Sequence, residues 1–392
     1  MNVVVVTDVL GKENNGTTTA CMNLVRYLSK VGDNVKIVCC DKDKCGRENY
    51  YIVPTINLGP INKIVEKNEV SLAKADYYII SKALEGADVC HIMLPFSLGR
   101  AALEVAIEKG IPVTAGFHCQ AENFSSHLMM MNNRLFNHLV YRNFYNHFYK
   151  YVDAIHYPTE FIKNIFENEI KHETNAYVIS NGVNKLFIKK NSHRPKELEG
   201  KFVILFTGRL SKEKSHKVLV RAVKYSKYKD QIQLIFAGGG PRKEEILKEA
   251  KKCGIATPIV NFFSRSDLVD VINYSDLYCH PAEVEIEAIA CLEAICCGLV
   301  PIISDSKRSA TKYFALDDKS LFKCNDSVDL AKKIDYWIEH KEEKEKYSKM
   351  YIEKSLKFDQ DYCMQKMRDM MIETIRSSRY QHETAEDYLL SR

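Results

Sequence analysis

The run from Leu277 to Ser304 constrains this chain most. Leu277-Tyr-Cys-His280 has the composition of a short buried strand, Pro281 opens a turn, a helix-patterned segment follows and stops at Gly298, and Leu299 to Ser304 is a second apolar run. Strand, turn, helix and strand in that order make one βαβ crossover, the unit of a parallel sheet. In such a unit the turn after the first strand faces the ligand crevice, and the helix N-terminus aims free N–H groups at any anion there. Glu285 and Glu293 lie eight apart, so one helix containing both would show them on a shared face, and Glu285 is the better placed of the two for the turn. Acids beside a crevice accept hydroxyl donors, which suits a ribose and a sugar. Glu283, Glu285 and Glu287 also have a plainer reading, as carboxylates that complement the dipole in the first turn of a helix.

At 392 residues, 46% apolar and 27% charged, the chain has the size and composition of two ordinary soluble domains, each able to bury a core. A net charge of +5 with no basic block argues against a nucleic-acid partner. The thirteen cysteines form no paired Cys-x-x-Cys clusters, and Cys39-Cys40 and Cys296-Cys297 are adjacent. Buried thiols in a reducing compartment are expected, not disulfides or a metal framework. The opening Met1-Asn-Val-Val-Val-Val-Thr-Asp8 runs as a strand into a loop, unlike a signal peptide, and no uncharged apolar run is long enough to span a bilayer. The expectation is a cytoplasmic protein with at most peripheral membrane contact.

Read from its start, the chain gives a strand at Asn2 to Leu10, a loop at Gly11 to Gly16, a helix at Thr17 to Val31 and a strand at Asn34 to Cys40. The opening is Rossmann-like but lacks Gly-x-Gly-x-x-Gly, which leaves a nicotinamide cofactor without support. Gly16, ahead of three threonines at a helix start, could let backbone N–H groups approach a phosphate or could be part of an ordinary cap. Asp41-Lys-Asp43 has the form of a metal-holding pair, yet it is flanked by lysines and reads as a solvated turn. Strands at Asp88 to Leu94 and Ile111 to His118 enclose a helix at Ser97 to Lys109. His118 thus closes a strand, where α/β proteins carry working residues, although a lone histidine is more often packed and hydrogen-bonded. Further strands are expected at Ala154 to Thr159 and Tyr177 to Ser180. The first domain then covers 1–185, a polar linker 186–200, and a second alternating domain 201–371. From Asn123 to Val152 there is no acidic residue, while Arg134, Arg142 and Lys150 are interleaved with aromatic and aliphatic residues. Such a segment can lie on an anionic membrane surface, each basic group adding roughly 1 kcal/mol, or it can be a core helix with a basic outer face.

Gly208-Arg209-Leu-Ser-Lys-Glu-Lys214, Ala237-Gly-Gly-Gly-Pro241, and Glu285 through Glu293 followed by Ala294, Gly298, Pro301 and Ser304 occur in that order. Together they resemble the nucleotide-sugar half of glycosyltransferase family 4, retaining enzymes of the GT-B fold. Gly16, His118 and Asn181-Gly-Val183 extend the likeness into the first half. The resemblance implies an α/β architecture of two Rossmann-like domains facing across a cleft, with a helix beginning near Asp359 that crosses back and joins the first domain over about 372–392. It implies that Arg209 and Lys214 bind the donor diphosphate, Glu293 the ribose hydroxyls and Glu285 the transferred sugar, with Gly16 reaching the diphosphate and His118 near sugar and acceptor. Arg209, Lys214, Glu285 and His118 are thereby the catalytic candidates. Gly208, Gly239, Phe263, Ser264, Ile286, Glu287, Ala288 and Ile289 complete the implied donor contacts. Two positions depart from the family: Glu287-Ala288 replaces its usual Phe-Gly, and Ser264 replaces a frequent Gly.

No metal and no cofactor are expected, the UDP-sugar being a co-substrate. The implied reaction moves a hexose, glucose first among candidates, to a membrane lipid hydroxyl such as diacylglycerol at the inner face of the cell membrane, with Arg134, Arg142 and Lys150 touching that surface. Transfer to a polysaccharide, protein or small molecule is the alternative, and a non-catalytic partner subunit or sugar-nucleotide-binding protein a second one. Retention of Arg209, Lys214, Glu285 and Glu293 together argues against the last. Oligomeric state is left open.

Overall fold

The computed structural model describes residues 1–8, 10, 16–56, 72–122, 125 and 130–378. The chain divides into two compact units, Met1–Asn181 together with the segment from Asp361, and Gly182–Gln360.

In the first unit β1 (Asn2–Val6), α1 (Gly16–Lys30), β2 (Asn34–Cys39), β3 (Tyr50–Ile52), α2 (Tyr77–Ala83), β4 (Val89–Ile92), α3 (Ser97–Glu108), β5 (Val113–Gly116), α4 (Arg134–His147), β6 (Ala154–Tyr157), α5 (Glu160–Ile170) and β7 (Ala176–Val178) follow one another. The strands form one parallel sheet in the order β3-β2-β1-β4-β5-β6-β7. Val3 to Val6 are buried; a run of β-branched residues suits a central strand covered on both faces.

In the second unit come β8 (Phe202–Thr207), α6 (His216–Tyr225), β9 (Ile232–Ala237), α7 (Lys243–Cys253), β10 (Ile259–Asn261), α8 (Arg265–Tyr274), β11 (Leu277–His280), β12 (Val284–Glu285), α9 (Ile289–Cys296), β13 (Pro301–Ser304), β14 (Arg308–Ser309), β15 (Leu321–Phe322), α10 (Ser327–Glu339) and α11 (Lys341–Ser355). The main sheet is parallel in the order β10-β9-β8-β11-β13-β15, and β12 pairs with β14 as a separate ribbon. Strand order reverses between β8 and β11. The crevice of such a sheet opens at that reversal, beyond the C-terminal ends of the two strands, which here are Thr207 and His280.

Helix α12 (Gln360–Ser378) packs its Cys363, Met364, Met367, Met370 and Met371 into the core of the first unit with Val3, Val5, Leu24 and Leu28. Unbranched Met side chains fill the irregular gap between helix and sheet. Arg368 closes the contact with two hydrogen bonds to Asp33, of 2.7 and 3.0 Å. The crossing helix therefore joins the first unit from Asp361, earlier than 372; residues 379–392 of the expected stretch lie outside the described residues.

Two further expectations are corrected, and a third is made specific. The supposed linker 186–200 is packed into the second unit: Phe187 and Leu198 belong to its core, and Arg194 donates to the Tyr274 and Lys201 carbonyls. After Leu186-Phe-Ile188 the segment is dominated by charged and polar residues up to Gly200 and carries no apolar period, so its packing is not marked locally. The helix of the crossover begins at Ile289 and not after Pro281, because Val284 and Glu285 are drawn into the ribbon with Arg308 and Ser309. The segment 123–152 divides its roles. Tyr141, Phe144, Phe148 and Tyr149 are buried around Phe117, whose ring centroid lies 5.1 Å from that of Tyr149 and 4.6 Å from that of Phe166. The outer face of α4 shows Arg134, Leu135, Leu139 and Arg142, and Lys150 is also exposed. Leu128 and Met129 lie outside the described residues.

All thirteen cysteines are free thiols. Among the described residues no helix is long and apolar enough to cross a membrane, and no group of three or more His, Cys, Asp or Glu could hold a metal ion.

Candidate active site

In the second unit the loop after β8 and the loop after β9 are laced together through their backbones. Gly208 N donates to Ala237 O (3.0 Å), Leu210 N to Gly239 O (2.8 Å) and Arg242 N to Leu210 O (3.1 Å). A Cβ on Gly238 would stand 2.0 Å from the Gly208 carbonyl oxygen, so the loops can approach this closely only without a side chain there. The lacing fixes the base from which Arg209 and Lys214 project. Lys214 ends a 3₁₀ turn at Lys212–Lys214 and forms an ion pair with Glu285.

The side chains of Lys214 and Glu285 are 18% and 14% exposed, so solvent screens the pair poorly. Burial raises the Glu285 carboxyl, but Lys214 and His280 outweigh it and bring the pKa down to about 2. Burial works against the Lys214 ammonium, yet Glu285 and Glu213 hold its pKa above the usual lysine value; Arg209 acts in the opposite sense, which puts its charge within electrostatic reach. Both members of the pair are ionised across the neutral range.

Glu293 sits on α9 and is partly buried. Desolvation pushes its carboxyl up to about 7, and Arg265 offsets this only in part. Glu283 is occupied elsewhere, accepting from Arg308 (2.7 Å) and Ser215 (3.1 Å), which braces the β12 and β14 ribbon. Glu287 is 3% exposed, so it does not face solvent as a first-turn carboxylate would. Ser264 is the N-cap of α8, its hydroxyl accepting from the Asp267 N–H at 3.2 Å; it stands beside Phe263 just past the end of β10.

Ala288 has φ 65° and ψ 65°, the left-handed region. Only glycine reaches this region without strain, and an L-residue there loses about 1–2 kcal/mol. The position where the resembled family places Gly thus demands glycine geometry, and this chain meets it with the smallest side chain that has a Cβ. Ala288→Gly is expected to hold or raise the thermal midpoint. Ala288→Val, adding roughly 2 kcal/mol of strain, should lower it by about 4 °C or more; thermal unfolding followed by circular dichroism decides.

His118 and Gly16 belong to the first unit. Gly16 is the first residue of α1 and is exposed. His118 follows β5, and its ring lies over Gly116: a Cβ at Gly116 would meet His118 Nε2 at 2.4 Å. Burial, then His156 and His91, lowers the His118 pKa well below the usual histidine value. It is a neutral imidazole, able to share a hydrogen bond but not to act as a cation.

The side chains behind Glu285 carry no expectation from the sequence reading. His280 Nε2 is 3.2 Å from Glu285 Oε1, His280 Nδ1 3.2 Å from the Tyr278 hydroxyl, and that hydroxyl 3.2 Å from Thr207 Oγ1. The available signal is the alternation in β11, where Tyr278 and His280 fall on one face.

The Glycosyltransferase Family 4 profile matches residues 14–185, and the Glycosyl transferases group 1 profile matches residues 187–354. An alpha-monoglucosyldiacylglycerol synthase of Streptococcus pneumoniae is 24% identical over 326 residues, 78% of this chain and 71% of that protein. The crystal structure of Anabaena Alr3699/HepE in complex with UDP superposes with a TM-score of 0.74 at 14% identity, covering 95% of this chain and 100% of that one. The catalytic domain of a cholesterol-alpha-glucosyltransferase from Helicobacter pylori is 44% identical over 40% of this chain and 97% of its own, with a TM-score of 0.39.

Proposed function

The chain belongs to glycosyltransferase family 4 and has the GT-B fold, and from that membership we propose that it moves a hexose, glucose in the first instance, from a UDP-sugar to a lipid hydroxyl such as that of diacylglycerol, with retention and without a metal. The observation that carries this reading is the Lys214 and Glu285 pair, rooted in the glycine-laced loops at the strand-order reversal, with Arg209 in electrostatic reach.

A departing nucleoside diphosphate gathers negative charge as the glycosidic bond breaks. Fixed cations aimed at it stabilise that charge by several kcal/mol in a water-poor site, the work a metal ion does in other enzymes. Lys214 and Arg209 fill this role. Glu285, ionised and accepting only, takes hydroxyl donors of the sugar, and Glu293 takes those of the ribose. The C1–O bond to the diphosphate breaks as the acceptor oxygen joins C1 on the same face, and the acceptor proton passes to the leaving phosphate oxygen.

The lipid acceptor draws support from the name of the Streptococcus pneumoniae relative and from the outer face of α4, where Leu135 and Leu139 are 69% and 56% exposed between Arg134 and Arg142. Exposed leucines beside basic groups suit the boundary between acyl chains and anionic headgroups at the inner face of a membrane. The test is a matrix of UDP-, GDP- and ADP-hexoses against diacylglycerol and a sterol in anionic vesicles, and against soluble sugars. Transfer from a UDP-hexose to a vesicle lipid, with protein that sediments with vesicles and is released by salt, is the expected result. Transfer to soluble acceptors alone removes the lipid, and donor binding without any transfer removes the enzyme.

A further inference from the structure

Behind Glu285 runs a buried line of polar side chains that starts on β8 and ends at the carboxylate. His280 closes β11 and is 2% exposed, and each of its ring nitrogens has a partner: Glu285 Oε1 at 3.2 Å from Nε2 and the Tyr278 hydroxyl at 3.2 Å from Nδ1. Granting that Glu285 faces the transferred hexose, we propose that His280 is the positioning residue for that carboxylate, and that Tyr278, backed by Thr207, holds the ring in place through Nδ1.

The direction of the line follows from what each group can donate. An ionised carboxylate only accepts, so His280 Nε2 carries the hydrogen. Burial lowers the His280 pKa, Glu285 offsetting this only in part, so the ring is neutral and Nδ1 is bare. Tyr278 must then donate to Nδ1, and its oxygen accepts from the Thr207 hydroxyl 3.2 Å away. Tyr278 to His280 to Glu285 is the order that satisfies both ring nitrogens and the carboxylate, with the Thr207 hydroxyl, which also lies 3.5 Å from the Ala290 carbonyl, behind the Tyr278 oxygen. The line lies within β8, β11 and β12, so it is rigid secondary structure that aims the carboxylate.

The consequence is clearest when Lys214 changes partner. In the free protein Lys214 and His280 share Glu285 Oε1. A diphosphate binding to Lys214 competes for its ammonium, and His280 is then what keeps Glu285 from rotating away from the sugar. A carboxylate held only by a lysine that is itself recruited by the leaving group would lose its register as the donor binds.

His280→Leu removes the donor, His280→Gln keeps an N–H within reach of Glu285, and Tyr278→Phe removes the hydrogen-bond partner of Nδ1 that steadies the ring. With folding checked by thermal unfolding, His280→Leu is expected to lower kcat by about twentyfold while UDP affinity stays within about twofold, because Arg209 and Lys214 still hold the nucleotide. His280→Gln should return kcat to within about fivefold of the parent, and Tyr278→Phe should lower it by about three- to fivefold. Parent-like kcat in His280→Leu, or a folded His280→Gln as impaired as His280→Leu, overturns the positioning role. Glu285→Gln separates this from the reading it rests on. If Glu285→Gln transfers sugar at the parent rate, both fail; if it is impaired and His280→Leu is not, the positioning role alone fails.

Discussion

Lys214→Ala is expected to lower the rate of sugar transfer by about a hundredfold, equivalent to roughly 2.7 kcal/mol of barrier. Two effects add. The ammonium that would meet the leaving diphosphate is lost, and Glu285, held at a pKa of about 2 largely by that ammonium, is left as an uncompensated anion facing another anion. The same substitution should destabilise the second unit, since removing one partner of a poorly solvated ion pair costs about 3 kcal/mol. The double replacement Lys214→Met with Glu285→Leu should recover part of that loss, because no charge is then stranded. The sign of the pH dependence follows from the lowered carboxyl: the pair's contribution is complete above the ordinary carboxylate range and is lost as pH falls from about 5 toward 2. Initial rates at saturating donor, with thermal unfolding of the single and the double variant, test both parts. A Lys214→Ala enzyme at the parent rate would refute the assignment of the leaving-group cation.

UDP affinity is expected to weaken as pH falls below about 7, by up to tenfold per pH unit, and Glu293 is the reason. Its carboxyl, raised to about 7 by desolvation, holds its proton below that value in the free protein. Ribose hydroxyls donate, so they need the ionised form, and binding below about 7 has to expel the proton first. The stability sign is opposite to that of Glu285. A raised carboxyl favours the folded unit below the ordinary carboxylate value, and this contribution fades as pH climbs from about 4.5 through about 7. Glu293→Gln, neutral at every pH, should therefore stabilise the free unit near about pH 8 while binding UDP more weakly there. Calorimetric titration of UDP into parent and variant from about pH 5.5 to about pH 8 separates the residue from the nucleotide's own phosphate ionisation, which both proteins share. Identical slopes for the two proteins would take the ribose away from Glu293.

Much of this arrangement was legible before any coordinates. Val3 to Val6 and Phe202 to Phe206 are continuous apolar runs, which central parallel strands require, and the glycine-rich stretches at 208 and 238 to 240 marked the two loops that carry the resemblance, though not that they are laced together. What could not be read was anything set by partners distant in sequence. Glu285 lies in a ribbon because Ser309 pairs with it, and no local period reveals that. The composition of 123–152 was plain, yet which face of α4 turns inward depends on Phe117 and Phe166. Phe187 and Leu198 are buried in the core of the second unit, a placement that the charged stretch between them does not signal. α11 has no counterpart among the expected elements because lysine and glutamate outnumber its buried Tyr347 and Tyr351. Tyr278 and His280 stood on one strand face in plain view, but the partner that gives them meaning sits beyond a turn whose path was not foreseeable.

The methionine face of α12 has a consequence for how the polypeptide is made. Synthesis is vectorial, and Gly182–Gln360 is uninterrupted, so that unit has its whole sequence outside the ribosome while the other still awaits its final helix. Until Met364, Met367 and Met371 emerge, Val3, Val5 and Leu28 have no cover on that side. The unit that begins earlier along this sequence is thus sealed after the one that follows it, and its apolar surface is open to chaperones, or to other nascent chains, for the time it takes to translate everything in between.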